Sequence, residues 1–124
     1  MAHQPQRKKE TLEKEMTGDE AIVYVLHELK IAKVFLSPGV PDFLKARLNE
    51  YKVPFAEAYS PRGAIALADS FARATNDLGV AIVTPGSRVL DGLDVIAQAF
   101  NDSVPLLIIG TLRSYRDTGR ARLG

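Results

Sequence analysis

Apolar and polar residues fall in blocks along this chain, and the spacing within the blocks alternates between two periods. From Thr17 onward Ile22, Val25, Leu26 and Leu29 recur at helical spacing, one apolar stripe of an amphipathic helix. The stretch Thr17-Gly18-Asp19-Glu20 predicts a capping box, with the Thr17 oxygen accepting from the Glu20 amide and Glu20 reaching back. A short β-type run covers Val34 to Leu36, the segment Ser37 to Asp42 punctuates, and a second helix is expected over Asp42 to Tyr51. The rhythm then repeats. A strand is expected near 54–58, and a helix over Pro61 to Asn76, with Gly79 marking its end. Ser60 is a favoured N-cap and Pro61 suits the first helical position, where its missing N–H costs nothing. Val80 to Thr84 reads as a strand, Pro85 to Arg88 as a turn, and Val89 to Asn101 as a helix with Leu93, Ile96, Ala97 and Phe100 on one face. Val104 to Ile109 is a near-continuous apolar run, of the sort buried on both faces of a parallel sheet.

Strands alternating with helices predict an α/β fold, a mainly parallel sheet with helices on both faces. Residues 1–16 read as a polar tail, with one helical turn near Thr11 to Met16. Residues 17–110 form the domain, and 111–124 a basic segment carrying Arg113, Arg116, Arg120 and Arg122. In such sheets ligands bind where strands end and helices begin. Ser37-Pro38-Gly39, Ser60-Pro61-Arg62-Gly63 and Thr84-Pro85-Gly86-Ser87-Arg88 are therefore expected on one edge, the default site.

Composition narrows the classes of function. The 124 residues have room for one domain, with 46% hydrophobic and 25% charged residues, as in ordinary globular proteins. A net charge of +1 gives no strong nucleic-acid footprint. Cysteine is absent, which removes disulfides, thiolate metal sites and a cysteine nucleophile and suits a reducing cytoplasm. The apolar runs are shorter than the ~20 residues that span a bilayer, and the first residues lack the apolar region of a signal peptide. Neither membrane nor nucleic-acid partners are expected.

Four stretches together resemble the pyrimidine-binding domain of thiamine-diphosphate enzymes, in the acetolactate synthase and 2-oxo-acid decarboxylase branch. They are Val-Phe-Leu-Ser-Pro-Gly (34–39), the helix Gly63 to Thr75 with its Asp-x-x-x-Arg, the strand and turn Gly79 to Gly86, and Ala97 to Leu107 with Asn-Asp-Ser-Val-Pro. The last three match without gaps over Gly63 to Leu107, and the likeness covers roughly Thr17 to Gly110. The resemblance implies a domain that holds the aminopyrimidine ring of thiamine diphosphate at an interface. The diphosphate and magnesium would sit on a second, homologous domain or subunit carrying Gly-Asp-Gly followed by Asn. These 124 residues hold no such motif, Asp91-Gly92 being placed inside a helix, so the chain would supply half a site and would be inactive alone. A fragment, a small subunit and a reduced relative all remain open, and a homo- or hetero-oligomer is expected. On this resemblance the cofactor-binding candidates are Pro38, Gly39, Pro61, Thr84, Gly86 and Ser87; no catalytic residue and no metal ligand is assigned.

In most such enzymes a glutamate opens the second of these helices, hydrogen-bonds a pyrimidine nitrogen and so supports proton removal from the thiazolium carbon, general acid–base work relayed through the cofactor. Alignment on Gly63 puts Pro61 in its place and Arg62 in that of a Gln. Proline has no ionisable group, and using Glu57 instead would break the gapless match. Two functions follow. The first is the pyrimidine half-site of a 2-oxo-acid decarboxylase or carboligase. The second is a non-catalytic scaffold or interaction subunit that kept the fold and lost the acid. A generic flavodoxin-like binding domain is a third reading. The bland readings of the remaining residues are structural. Asp69 and Arg73 stand four apart and suit a helix ion pair, His27 has no ligand-spaced partner, and Asp102-Ser103 ends a helix.

Overall fold

The computed structural model describes residues 16–84 and 91–111. Four helices and four strands alternate: α1 (Gly18–Glu28), β1 (Val34–Leu36), α2 (Asp42–Glu50), β2 (Phe55–Glu57), α3 (Pro61–Thr75), β3 (Gly79–Val83), α4 (Leu93–Asn101) and β4 (Leu106–Gly110). The strands form one parallel sheet in the order β2-β1-β3-β4. The expected α/β class with a parallel sheet is therefore observed.

Each central strand serves two cores because its side chains alternate between faces. Val34, Leu36, Val80 and Ile82 point to one face and pack with Val23 and Leu26 of α1 and Leu44 and Leu48 of α2. Phe35, Ala81 and Val83 point to the other face, under Ala64, Ile65 and Ala68 of α3, with Val95 and Ile96 of α4 alongside. Helices thus cover both faces. Alanines on the buried side of α3 bring that helix close to the sheet. A Cβ at Gly79 would fall within the main-chain carbonyl of Ala68 and lie 3.2 Å from the Ala72 Cβ.

Several boundaries and faces differ from the sequence expectation. Thr17 is the N-cap of α1, yet its hydroxyl makes no cap bond to the helix amides. It bonds Asp19, which holds that carboxyl below the usual aspartate value. The predicted capping box is therefore not formed. The stripe Ile22, Val25, Leu26, Leu29 is buried only at Leu26, and the inward face is Val23, Tyr24 and Leu26. Helix α3 ends at Asn76 in the left-handed conformation (φ 60°), and Gly79 is already the first residue of β3. In α4 the packed residues are Val95, Ile96 and Ala99, whereas Leu93 and Phe100 are exposed. Asp91 and Gly92 form a single tight turn ahead of α4 rather than lying within it. β4 is an edge strand and is half-exposed, not buried on both faces. Its Leu107 and Ile109 line an open apolar groove together with Ile22, Val25 and Leu29 of α1, so that side of α1 stays exposed. The polar tail other than Met16, and the basic segment beyond Thr111, fall outside the described residues, as does the turn at Pro85 to Arg88.

The closeness of α3 and β3 gives a direct test. Gly79→Ala forces helix and strand apart and should destabilise the domain by about 1–3 kcal/mol, the usual cost of overpacking. Urea unfolding of the two proteins measures it, and equal midpoints would contradict the packing described.

Candidate functional site

In the order β2-β1-β3-β4 the chain winds outward from the middle in two directions, so the switch point lies between β1 and β3. In open α/β sheets the crevice at the carboxyl ends of the strands beside such a point is where ligands bind. Two strand ends meet there, and the start of a helix lies on the same edge. At the end of β1, the Ser37 amide donates to the Ile82 carbonyl at 2.9 Å, the last main-chain rung described between the two strands. Pro38 then brings no N–H, and the chain leaves the sheet. The Thr84 amide donates instead to the Ser37 Oγ at 2.9 Å, with the two hydroxyls 3.5 Å apart. Both side chains are buried. Gly39 turns the chain with φ 87°, a conformation that favours glycine. A Cβ on Gly39 would lie 3.0 Å from the Thr84 Cγ2, so the turn sits tightly against Thr84 while its own backbone is exposed.

The next strand end contributes the start of α3. Ser60 is its N-cap in extended conformation (φ −155°), and its Oγ accepts from the Gly63 amide at 2.9 Å. Pro61 occupies the first helical position and is buried. The local reading of Ser-Pro as a helix start is therefore correct. Tyr59, just before it, is fully exposed. Arg62 reaches across to α4, donating to the Asp91 carbonyl at 3.2 Å and pairing with Asp94. The cation faces the positive end of its own helix, and Asp94 in the first turn of α4 relieves it. The Arg62 hydrogen bond, followed by its charge, holds the Asp94 carboxyl below the usual aspartate value.

Of the six cofactor-binding candidates, Pro38, Gly39, Pro61 and Thr84 follow β1, β2 and β3 on this edge. Gly86 and Ser87 lie outside the described residues. Glu57 ends β2, where it is half-exposed and pairs with Lys45 of α2, a helix on the face away from α3. It and Pro61 are thus directed to different layers. Ser37 was placed in the first expected turn but given no role by sequence reasoning. Its signal is a serine directly before the proline that ends β1. Asp69 and Arg73 do form the expected ion pair, at 3.0 Å, and Arg73 also holds Asp102 at 2.8 Å, tying the end of α3 to the end of α4. His27 is exposed, its ring edge-on to Tyr51 at 6.0 Å. Among the described residues no group of three His, Cys, Asp or Glu could hold a metal. None of their helices is long and apolar enough to cross a membrane.

The edge thus carries the exposed Gly39 backbone after β1 and the N-terminus of α3 after β2. Residues 16–124 match the family profile of the thiamine pyrophosphate enzyme N-terminal TPP binding domain. The acetolactate synthase large subunit of Lactococcus lactis subsp. lactis is 32% identical over 103 residues, covering 82% of this chain and 18% of that protein. The large subunit of acetolactate synthase isozyme 3 from Escherichia coli is 31% identical over 96 residues, 76% of this chain and 17% of its own. A probable 2-ketoarginine decarboxylase of Pseudomonas aeruginosa is 31% identical over 109 residues, 87% and 20%. The chain thus spans a fifth or less of the length of these relatives. Among solved structures, benzoylformate decarboxylase from Polynucleobacter necessarius superposes with a TM-score of 0.68 at 16% identity, over 87% of this chain and 20% of that one, which shows the shared fold.

The Arg62–Asp94 pair sets a pH expectation. A depressed carboxyl contributes stability above the unfolded value of about 3.9, and that contribution is lost as pH falls through the lower folded value. Carbon-detected NMR titration of Asp94 should show a midpoint below the ordinary value, and Arg62→Gln should bring it back up. An unchanged midpoint in Arg62→Gln would assign the shift to something other than this pair.

Proposed function

The chain belongs to the thiamine pyrophosphate enzyme family as its N-terminal TPP binding domain, and on that premise we propose that it forms the pyrimidine half of a thiamine-diphosphate site in a 2-oxo-acid decarboxylase or carboligase. The observation that carries this reading is the crevice at the β1–β3 switch point, where Gly39, in the positive-φ conformation, packs against Thr84.

The residues suit a flat aminopyrimidine in shape and chemistry. Gly39 offers exposed backbone with no side chain, Thr84 packs against it, and Pro61 starts the helix that follows β2. Gly86 and Ser87, outside the described residues, are kept as candidates on the sequence resemblance alone. The cofactor, when bound, supplies a carbanion-stabilising thiazolium to the decarboxylation or carboligation of a 2-oxo acid. The chain's part is to bind and orient the ring. The diphosphate and its magnesium belong, in this reading, to a homologous partner domain or subunit. The chain alone is then inactive, the working form is an oligomer or a longer assembly, and the cytoplasm is its place.

Pro61 favours a second reading. A buried proline at the first helical position cannot exchange a proton with a ring nitrogen. A subunit with that substitution can serve as a non-catalytic scaffold that keeps the interface and leaves acid–base work to another copy.

Two measurements check these statements. Calorimetry of the isolated chain with thiamine diphosphate and magnesium should give binding no tighter than about millimolar, barely 4 kcal/mol; tight binding by this chain alone would contradict the half-site. Pro61→Glu should fold, since a helix's first turn favours negative charge. In complex with a diphosphate-binding partner it should raise thiazolium proton exchange by about 10²-fold or more, the ordinary scale of general acid–base assistance. NMR in deuterated water reads that rate. No rise despite demonstrated cofactor binding would remove position 61 from the acid's place.

A further inference from the structure

The ladder between β1 and β3 ends in an unusual way. Parallel pairing with Leu36 opposite Ile82 and the Ser37 amide on the Ile82 carbonyl would next send the Thr84 amide to the Ser37 carbonyl. The Ser37 hydroxyl takes that amide instead, at 2.9 Å. A side chain is thereby inserted as a spacer where the two strands part, at the switch point. It also satisfies a buried N–H that would otherwise lack a partner, since Thr84 is only 7% exposed. The Ser37 side chain is fully buried, so it does not present itself to a ligand directly. What it fixes is the seat of Thr84, which it holds by the amide, against the Pro38-Gly39 turn that follows it in sequence. The contact of Thr84 Cγ2 with the α-carbon side of Gly39 depends on that hold.

We infer that Ser37 is a positioning residue for the aminopyrimidine ring, seating Thr84 against the Pro38-Gly39 turn through its hydrogen bond to the Thr84 amide. The inference rests on the half-site reading above and adds to it a residue that has no contact with the ring. Any residue without a short hydroxyl at this position leaves the Thr84 amide buried and unpaired, and the start of the following loop shifts to find another acceptor. Ser37→Ala is smaller than the native side chain, so it fits the site, and Ser37→Thr retains the hydroxyl in an extended segment that suits a β-branched residue.

The test uses the full chain, labelled with ¹⁵N, and the aminopyrimidine methanol fragment of thiamine as the probe. Amide exchange is measured first. Thr84 should be protected in the native chain and in Ser37→Thr and should lose protection in Ser37→Ala, while the amides of β1 and β3 within the sheet keep theirs. The fragment is then titrated to millimolar concentration. Shifts are expected at Gly39 and Thr84, weakened about tenfold in Ser37→Ala, as for loss of one hydrogen bond, and restored in Ser37→Thr. Val53→Ala, a core change on the α1–α2 face, lowers stability and should leave the affinity unchanged. Native-like affinity or native-like Thr84 protection in Ser37→Ala would overturn the role of Ser37 and leave the half-site standing. A native chain in which the fragment shifts other amides and not those of Gly39 and Thr84 would overturn both.

Discussion

β1 and β3 lie side by side although a helix, a strand and a second helix separate them in sequence. This pairing holds the domain together. Val34 and Val80, then Leu36 and Ile82, make paired rows under α1 and α2, while Phe35, Ala81 and Val83 build the opposite face under α3. No other pair of strands touches both cores so completely, because β2 and β4 stand at the edges with their residues partly exposed. The same pairing creates the crevice. β1 hands the chain outward toward β2, β3 hands it outward toward β4, and the gap left between their carboxyl ends is where Ser37 and Thr84 meet.

The class of fold was legible because the period of the apolar residues changes from helix to strand along the chain and the β-branched runs are short. Helix α3 was the plainest element, since Ser60 and Pro61 supply a start that depends on neighbouring atoms alone. The missed faces have a common cause. A helical stripe records which residues are apolar, not which of them will be covered. Ile22, Val25 and Leu29 obey the period, but the surface opposite them is β4, an edge strand, and strand order is a long-range property that the period does not carry. The capping box at Thr17 failed for a local reason: the hydroxyl is turned to donate to the Asp19 carboxylate and does not accept from a helix amide.

The candidate site was legible as a set of turns rather than as a geometry. Pro38, Gly39, Pro61 and Thr84 are marked by Pro and Gly punctuation after β-type runs, which sequence shows directly. Ser37 carries no such mark. Its role comes from a hydrogen bond 47 residues long in sequence, formed only because parallel register brings Leu36 opposite Ile82. The significance of Pro61 is split in the same manner. Its fitness for a helix start is a local fact, whereas what its lack of an ionisable group means for chemistry depends on a ring and a partner that meet the domain from outside.

The two cores differ in how they can change over evolution. On the α1–α2 face the interior is made of Val, Leu and Ile, residues that can exchange volume with one another and let the packing adapt. On the α3 face the floor is Ala64, Ala68 and Ala81, with Gly79 in contact beneath Ala68. No larger side chain fits between helix and sheet at those positions, so the freedom to exchange volume is greater on the face away from α3. Pro61 stands ahead of these alanines in α3, so a change of chemistry at the first turn can be tried by substitution without moving the contact that anchors the helix.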